Sequence, residues 1–219
     1  MTILEAIQNR HSVRRYTEQR VENDKLAALQ AEVDACNGAS GLSIRLVAND
    51  PATFNGLFAK VNFSGAKNFF VLVGKESADL EEKAGYFGER LVLQAQQLGL
   101  NTCWGASFSG KKFAAQLTPE EKIVMIIAFG YGKTQGVPHK SKPLEALCKV
   151  SGDVPAWFRA GMEAALLAPT AKNQQKFLFT LAGDAVKAES TGGAFTQIDL
   201  GIVKYHFEAG AGSENFKWQ

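Results

Sequence analysis

Three guanidiniums and a hydroxyl fall within six residues near the start of this chain, in Arg10-His11-Ser12-Val13-Arg14-Arg15. Planar, permanently charged guanidiniums can grip a phosphate bidentately, and the serine between them adds a further polar contact. The plainer reading is a solvated basic end of the opening helix, where cations complement the helix dipole. On this segment alone the plainer reading is preferred, because charge runs usually mark surface. A second basic stretch, Lys140-Ser141-Lys142-Pro143 after His139, could complete a phosphate site but is by itself an ordinary exposed loop.

Two other stretches could shape a ligand pocket. LGLNTCWGASF at 98–108 carries small residues that let backbone N–H groups approach a flat ligand, or that simply close a tight turn. APTAKNQQ at 168–175 gathers amide donors and acceptors in Asn173, Gln174 and Gln175, although a helix-ending turn would also use Pro169 and Asn173. His11, His139 and His206 have no metal-ligand spacing and no recognisable carboxylate partner, so they are expected to be exposed or structural. Cys103 reads as a small buried strand residue.

The elements that must position these residues follow from periodicity. Thr2 with Glu5 forms a capping box for a short first helix. Asn23 is the expected cap of a second helix with Leu26, Leu29, Val33 and Cys36 on one face, broken by glycines at 38–41. Strands are expected at 42–48 and at 68–73, the latter apolar enough to be central and closed by Gly74. The longest helix should span 78–98, with Ala84, Phe87, Leu91, Ala95 and Leu98 in register and Gly99 ending it. Strands follow at 102–104 and 123–129, the second after a helix start or turn at 118–121. A polar linker is expected at 133–143. Beyond it come a helix at 156–168, a strand at 176–181 and a closing helix at 199–209. No Gly-rich phosphate loop follows any strand, so a dinucleotide or P-loop fold is disfavoured and a mixed α+β domain is expected.

Composition narrows the function. The 219 residues carry a formal charge of +2, too slight to argue for nucleic acid or an anionic membrane. The hydrophobic share of 46% and charged share of 21% suit a soluble globular protein. The three cysteines, Cys36, Cys103 and Cys148, fit neither a disulfide framework nor a zinc pattern. The opening residues lack a signal-peptide core and the apolar runs are strand-length, so a cytoplasmic location is expected.

Taken together, the segments resemble one family. RHSVRRY at 10–16 resembles the N-terminal FMN signature of the nitroreductase superfamily. Gly85-Tyr-Phe-Gly-Glu89 running into LGLNTCWG resembles its central helix and following strand, and HKSKPL at 139–144 resembles its basic phosphate segment. The match covers about residues 1–147 in the familiar order. One departure stands out: the family's Pro-Ser-x-x-Asn-x-Gln stretch is missing near 36–42, and APTAKNQQ stands at 168–175 instead, before GIVKYHF at 201–207. This is similar to a subgroup of nitroreductases in which that element has been relocated.

The resemblance implies an α+β, nitroreductase-like fold with a mixed sheet flanked by helices. It implies a single domain over 1–219, with a family-like core at 1–147 and a segment at 152–219 completing the site. Arg10, Ser12, Lys140 and Lys142 would bind the FMN phosphate and ribityl oxygens, with His11 beside them. Arg14 would lie toward the flavin pyrimidine, with Asn62 (or Lys60) near it. The backbone from Gly105 through Ala106 and Ser107 would reach flavin N5, and Pro169, Thr170 and Asn173 would approach from the far side. NAD(P)H would be the electron donor and a small molecule such as a nitroaromatic or quinone the acceptor, in ping-pong fashion. The alternatives are a flavin-modifying or dehalogenating enzyme, or a non-catalytic FMN store or sensor. The site would be closed within a monomer or across a homodimer, with closure within one chain preferred.

Overall fold

The structure, a computed structural model, describes residues 1–50, 63–106, 117–138 and 140–219. The chain divides into two compact units. One comprises 1–9, 81–89 and 138–219, and the other 10–80 and 90–137. The boundary at 137/138 falls inside the linker expected at 133–143.

The second unit is built on a four-stranded antiparallel sheet, β1 (Arg45–Val47), β2 (Asn68–Lys75), β3 (Asn101–Gly105) and β4 (Glu121–Gly130), in the order β1-β2-β4-β3. As its apolar run predicts, β2 is central, and its first seven residues are buried. It continues through Gly74 instead of closing there, with an irregularity in register at Leu72/Val73. β1 is shorter than the strand expected at 42–48. The sheet buries Phe69, Val71, Val73, Cys103, Ile126 and Ala128 together with Tyr16 and Phe63.

Helix α2 (Asn23–Ser40) buries Leu29, Val33 and Cys36 as its periodicity requires, with Leu26 half-buried. Its cap is Glu22 instead of Asn23, which is the first helical residue, and no side chain caps the helix. The helix passes through Gly38 and stops at Gly41, whose left-handed φ of 73° lets its N–H reach the Asn37 carbonyl. Helix α3 (Leu80–Gln97) contributes residues to both units. It ends as Gly99 predicts: Leu100 N–H bonds the Ala95 carbonyl and Gly99 N–H the Gln96 carbonyl, a Schellman pair.

The other unit opens with α1 (Ile3–Asn9), where the capping box is reciprocal. Thr2 N–H donates to Glu5 Oε2 at 2.7 Å, and Glu5 N–H to Thr2 Oγ1 at 3.2 Å. Its sheet is mixed, in the order β5-β6-β7-β8: β5 (Cys148–Val150), β6 (Phe177–Ala182), β7 (Ala185–Ser190) and β8 (Lys217–Trp218). Of these only β6 is legible from the sequence pattern. Helices α4 (Ala156–Ala165) and α5 (Thr196–Ala211) pack on an aromatic core centred on Phe207. The Phe207 ring lies 4.8 Å from Phe179, 5.2 Å from Phe216 and 5.4 Å from Phe158. The expected α+β class is therefore found, with two sheets instead of one. No helix among the described residues is long and apolar enough to cross a membrane.

Backbone meets backbone where α5 crosses the first turns of α3. A Cβ on Gly201 would stand 1.9 Å from the Glu82 carbonyl oxygen, and one on Gly85 would stand 2.0 Å from the Ile198 carbonyl oxygen. Neither backbone can yield cheaply. Gly201→Ala is expected to cost about 2–3 kcal/mol, lowering the thermal midpoint by roughly 5–10 °C. Gly38→Ala in α2, where a Cβ meets nothing within 4 Å, should instead gain about 0.5–1 kcal/mol. Calorimetric unfolding of the two variants checks the pair, and equal shifts would mean that the α3–α5 crossing is not tight.

Candidate functional site

The structure gathers the four candidate segments into two clusters, one in each unit. In the unit of 10–80 and 90–137, the chain leaves α1 at Asn9 and becomes extended. Ser12 bridges Thr102 in parallel, and Val13 N–H donates to the Thr102 carbonyl at 2.9 Å. The basic segment is therefore an added edge to β3. This corrects the reading of a solvated helix end: Arg10 lies beyond the helix and is only 4% exposed.

Further along, Tyr16 N–H donates to the Ser64 carbonyl at 2.8 Å and the buried Tyr16 hydroxyl to the Ala128 carbonyl at 3.2 Å. Lys133 N–H and Thr17 N–H bond the carbonyls of Arg15 and Tyr131. Gly136, at φ 75°, leaves no room for a side chain, since a Cβ would lie 2.7 Å from that of His11. The segment is thus held between Thr102 on one side and the 131–136 turn on the other.

Arg10, Ser12 and Arg14 all act on Cys103, on β3. Burial pushes the Cys103 thiol up, while Arg14, Arg10 and a hydrogen bond from Ser12 act in the opposite direction. The net direction keeps Cys103 a neutral thiol, consistent with a packed strand residue. Asn101, also buried, accepts from Gly132 N–H at 3.0 Å and donates to Gln135 at 3.1 Å, tying β3 to the same turn. At the end of β3, a Cβ on Gly105 would stand 2.4 Å from the Phe63 ring, and the next residue, Ala106, is exposed. Asn62, Lys60 and Ser107 lie outside the described residues, as does His139.

The second cluster joins the Lys140–Lys142 stretch to APTAKNQQ within one unit, a pairing that neither stretch reveals alone. Gln175 is its hub and is buried. The Gln175 side-chain amide donates to the Lys140 carbonyl at 2.9 Å and to Asn173 Oδ1 at 3.0 Å, and its oxygen accepts from Lys142 N–H at 2.7 Å. Gln175 N–H donates to Thr170 Oγ1 at 3.1 Å. The Lys142 ammonium donates to the Gln174 and Gln175 carbonyls at 2.9 and 3.0 Å, and Asn173 Nδ2 to the Lys140 carbonyl at 2.9 Å. Pro169 is half-buried, and Lys172 and Asn173 are exposed.

This loop is bent against ordinary backbone preference. Lys172, Asn173 and Gln175 all have positive φ (53°, 53° and 46°), a conformation that costs on the order of 1–3 kcal/mol per non-glycine residue. What holds it is Asp199, on the first turns of α5, a residue that sequence reasoning missed. The buried Asp199 carboxyl accepts from Ala171 N–H at 2.9 Å and from Gln174 Nε2 at 2.7 Å. Only its place at the start of an expected helix could have hinted at this.

His206 also departs from expectation. It is structural, as expected, but it does have a carboxylate partner. With both side chains fully buried, His206 Nε2 lies 2.9 Å from Glu89 Oε1 and Nδ1 lies 3.0 Å from the Ala164 carbonyl oxygen. The two partners are 117 residues apart in sequence.

Comparison with known proteins gives the family and the fold. The family model described as "Putative TM nitroreductase" matches residues 2–211. The chain is similar to the crystal structure of "a putative nitroreductase" from Thermotoga maritima MSB8 at 24% identity and TM-score 0.67, over 95% of this chain and 83% of that one. It is similar to "a putative nitroreductase in complex with FMN" from Desulfovibrio desulfuricans at 20% identity and TM-score 0.55, over 71% and 99%. A "Putative NADH dehydrogenase/NAD(P)H nitroreductase" from Parabacteroides distasonis ATCC 8503 matches at 21% identity and TM-score 0.54, over 66% and 95%. At these identities the likeness shows the fold. No curated protein matches the chain.

Asp199 gives the second cluster a pH signature. Burial is the larger influence and raises its carboxyl above the usual 3.8, against the hydrogen bonds from Gln174 and Ala171. The folded state therefore binds this proton more tightly than the unfolded chain. The contribution of Asp199 to stability is largest below the unfolded value and diminishes as pH rises through the higher folded one. The thermal midpoint of wild type minus that of Asp199→Ala should shrink as pH is raised from about 3.5 to 7. A gap that widens with pH would contradict the assignment.

Proposed function

The chain belongs to the TM nitroreductase family, and from that premise we propose that it is an FMN-dependent oxidoreductase. In this reading it takes hydride from NADH or NADPH and passes two electrons to a small acceptor such as a nitroaromatic or a quinone. Bound FMN supplies reversible two-electron chemistry at its N5 atom. Donor and acceptor use one site in turn, which makes the kinetics ping-pong.

The observation that carries the reading is the edge segment beside β3. A buried guanidinium at Arg10, the Ser12 hydroxyl and the Arg14 guanidinium all act on Cys103, from a segment whose backbone is fixed by Thr102. That donor set fits a phosphate monoester, which accepts several charge-assisted hydrogen bonds from a rigid fork. Arg14, exposed, suits the electron-rich pyrimidine oxygens, where positive charge favours the reduced flavin. Beyond Cys103 the strand ends at Gly105, and the exposed Ala106 backbone supports a contact to the flavin ring. Lys140, Lys142, Thr170 and Asn173 belong to the brace around Gln175, and for their touching a flavin, as for Pro169, the family resemblance alone speaks. The complex with FMN described for the Desulfovibrio desulfuricans protein, and the NAD(P)H description of the Parabacteroides distasonis protein, support the choice of cofactor and donor.

The test separates phosphate from ring. Arg10→Ala should weaken FMN about ten- to hundredfold, the equivalent of roughly 1.5–3 kcal/mol, while riboflavin changes less than about twofold. Fluorescence titration of both flavins measures this, with Arg10→Lys as a partner variant that keeps the charge and loses the fork. Equal losses for FMN and riboflavin, at unchanged thermal midpoint, would place the phosphate elsewhere. Wild-type protein that binds FMN but is not reduced by NADH or NADPH in stopped flow would be a flavin store or sensor.

A further inference from the structure

Beyond Tyr16, backbone bonds hold several segments of the unit of 10–80 and 90–137 side by side. Tyr16 N–H donates to the Ser64 carbonyl and Asp50 N–H to the Lys67 carbonyl, each at 2.8 Å. Thr17 N–H bonds the Tyr131 carbonyl at 2.8 Å, and Gln19 N–H reaches Thr17 Oγ1 at 3.3 Å. Against this framework lies a cleft of about 290 Å³, lined by Glu18, Gln19, Arg20, Asn49, Lys67 and Asn68. None of the six belongs to either cluster described above.

Every lining side chain is polar, and two of them are matched to each other. Lys67 Nζ donates to Glu18 Oε2 in an ion pair. That contact holds the Glu18 carboxyl below its ordinary range, so it is ionised near neutral pH. The remaining donors are not used up. Asn68 forms the floor at 6% exposure. Its Oδ1 accepts from Asn49 N–H at 3.0 Å, but its Nδ2 reaches the Phe129 carbonyl only at 3.4 Å. A primary amide carries two N–H donors, so one is left for the cleft that Asn68 lines. The side chains of Arg20 and Asn49 make no hydrogen bond or ion pair among the described residues.

We propose that this cleft binds a small organic monocarboxylate, with the Arg20 guanidinium and the Asn49 and Asn68 amides as its donors. A guanidinium meets the two oxygens of a carboxylate with parallel N–H groups, and amide N–H donors take the remaining lone pairs. Two cations and one anion give the lining a single net positive charge. That charge matches one carboxylate, and the Glu18 carboxylate repels a ligand that carries a second negative charge, as phosphate does. The volume falls at the small end for ligand pockets, which limits the occupant to a few carbons. The site goes beyond the oxidoreductase reading and does not rest on it.

Propionate, propionamide and inorganic phosphate separate the charge of the ligand from its size. Nitrogen-15 NMR titration of the full chain as purified follows the backbone amides of Asn49 and Lys67 and the side-chain amide of Asn68. Propionate should shift these signals saturably, with propionamide bound about tenfold or more weakly. Phosphate should bind more weakly than propionate in wild type, and Glu18→Gln should narrow that gap. Arg20→Gln should weaken propionate about tenfold. Asn49→Asp keeps a residue type that tolerates the φ of 57° and sets a negative charge in the wall, so it should weaken propionate as much. Both positions are exposed, and neither variant should move the thermal midpoint. Signals that propionate leaves unmoved in wild type, propionamide bound as well as propionate, or phosphate preferred to propionate overturns the proposal. So does a propionate affinity unchanged in Arg20→Gln or a phosphate gap unchanged in Glu18→Gln.

Discussion

The edge pairing of Ser12 and Val13 with Thr102 governs what the basic segment can be. Backbone N–H and C=O groups that leave a helix must find new partners, and an open strand edge supplies them at regular spacing. Once Val13 N–H bonds the Thr102 carbonyl, the segment runs along β3. Val13 goes into the core at 2% exposure, and Arg10, Ser12 and Arg14 all act on Cys103 of the paired strand. A helical continuation would have spread the same residues around a cylinder, 100° apart. The gathering of these cations beside Cys103 is therefore a consequence of sheet pairing, and the 131–136 turn, bonded to Arg15 and Asn101, keeps that pairing in register.

The other unit depends on a buried amide in the same way. Gln175 can donate twice and accept twice through its side chain. It uses both donors, one acceptor position and its own N–H within the brace of Thr170, Asn173, Lys140 and Lys142. Each buried polar group left unmatched would cost about 1–3 kcal/mol, so the brace holds as a set or not at all. That cooperativity is what sustains three left-handed residues within four positions, with Asp199 supplying the external anchor.

How much of this was legible in the sequence depended on the range of the interaction. The Thr2–Glu5 box, the Leu29–Val33–Cys36 face, Gly99 at the end of α3 and the apolar run of β2 are local signals, and the structure carries each of them. Asn23 misled because Asn is a strong capping type, yet Glu22 has the extended backbone (φ −66°, ψ 149°) that a cap position needs. Of the site, the four segments were visible as types and spacing. Their grouping was not, because Ser12 meets Thr102 across ninety residues and Lys142 meets Gln175 across thirty-three. The strands β5, β7 and β8 escaped notice for a related reason. They are short, and β7 runs Ala-Val-Lys-Ala-Glu-Ser, where only Val186 is buried, so pairing with β6 and not composition makes it a strand.

The His206–Glu89 pair shows the same limit in its purest form, since one partner sits on α3 and the other on α5. His206 Nδ1 faces the Ala164 carbonyl oxygen at 3.0 Å. Its Nε2 faces a Glu89 carboxylate oxygen at 2.9 Å, so both ring nitrogens have a partner in the core. Replacing either partner by an apolar residue would take from the other a hydrogen bond made in a fully buried place. That is the costly case for interior charge, whereas removal of both together is far less damaging. The pair stands beside the crossing where Gly85 and Gly201 bring α3 and α5 into backbone contact, and it meets the same requirement there. Two helices packed too closely for side chains on one face must place on the next face groups that satisfy each other, because no water can reach them.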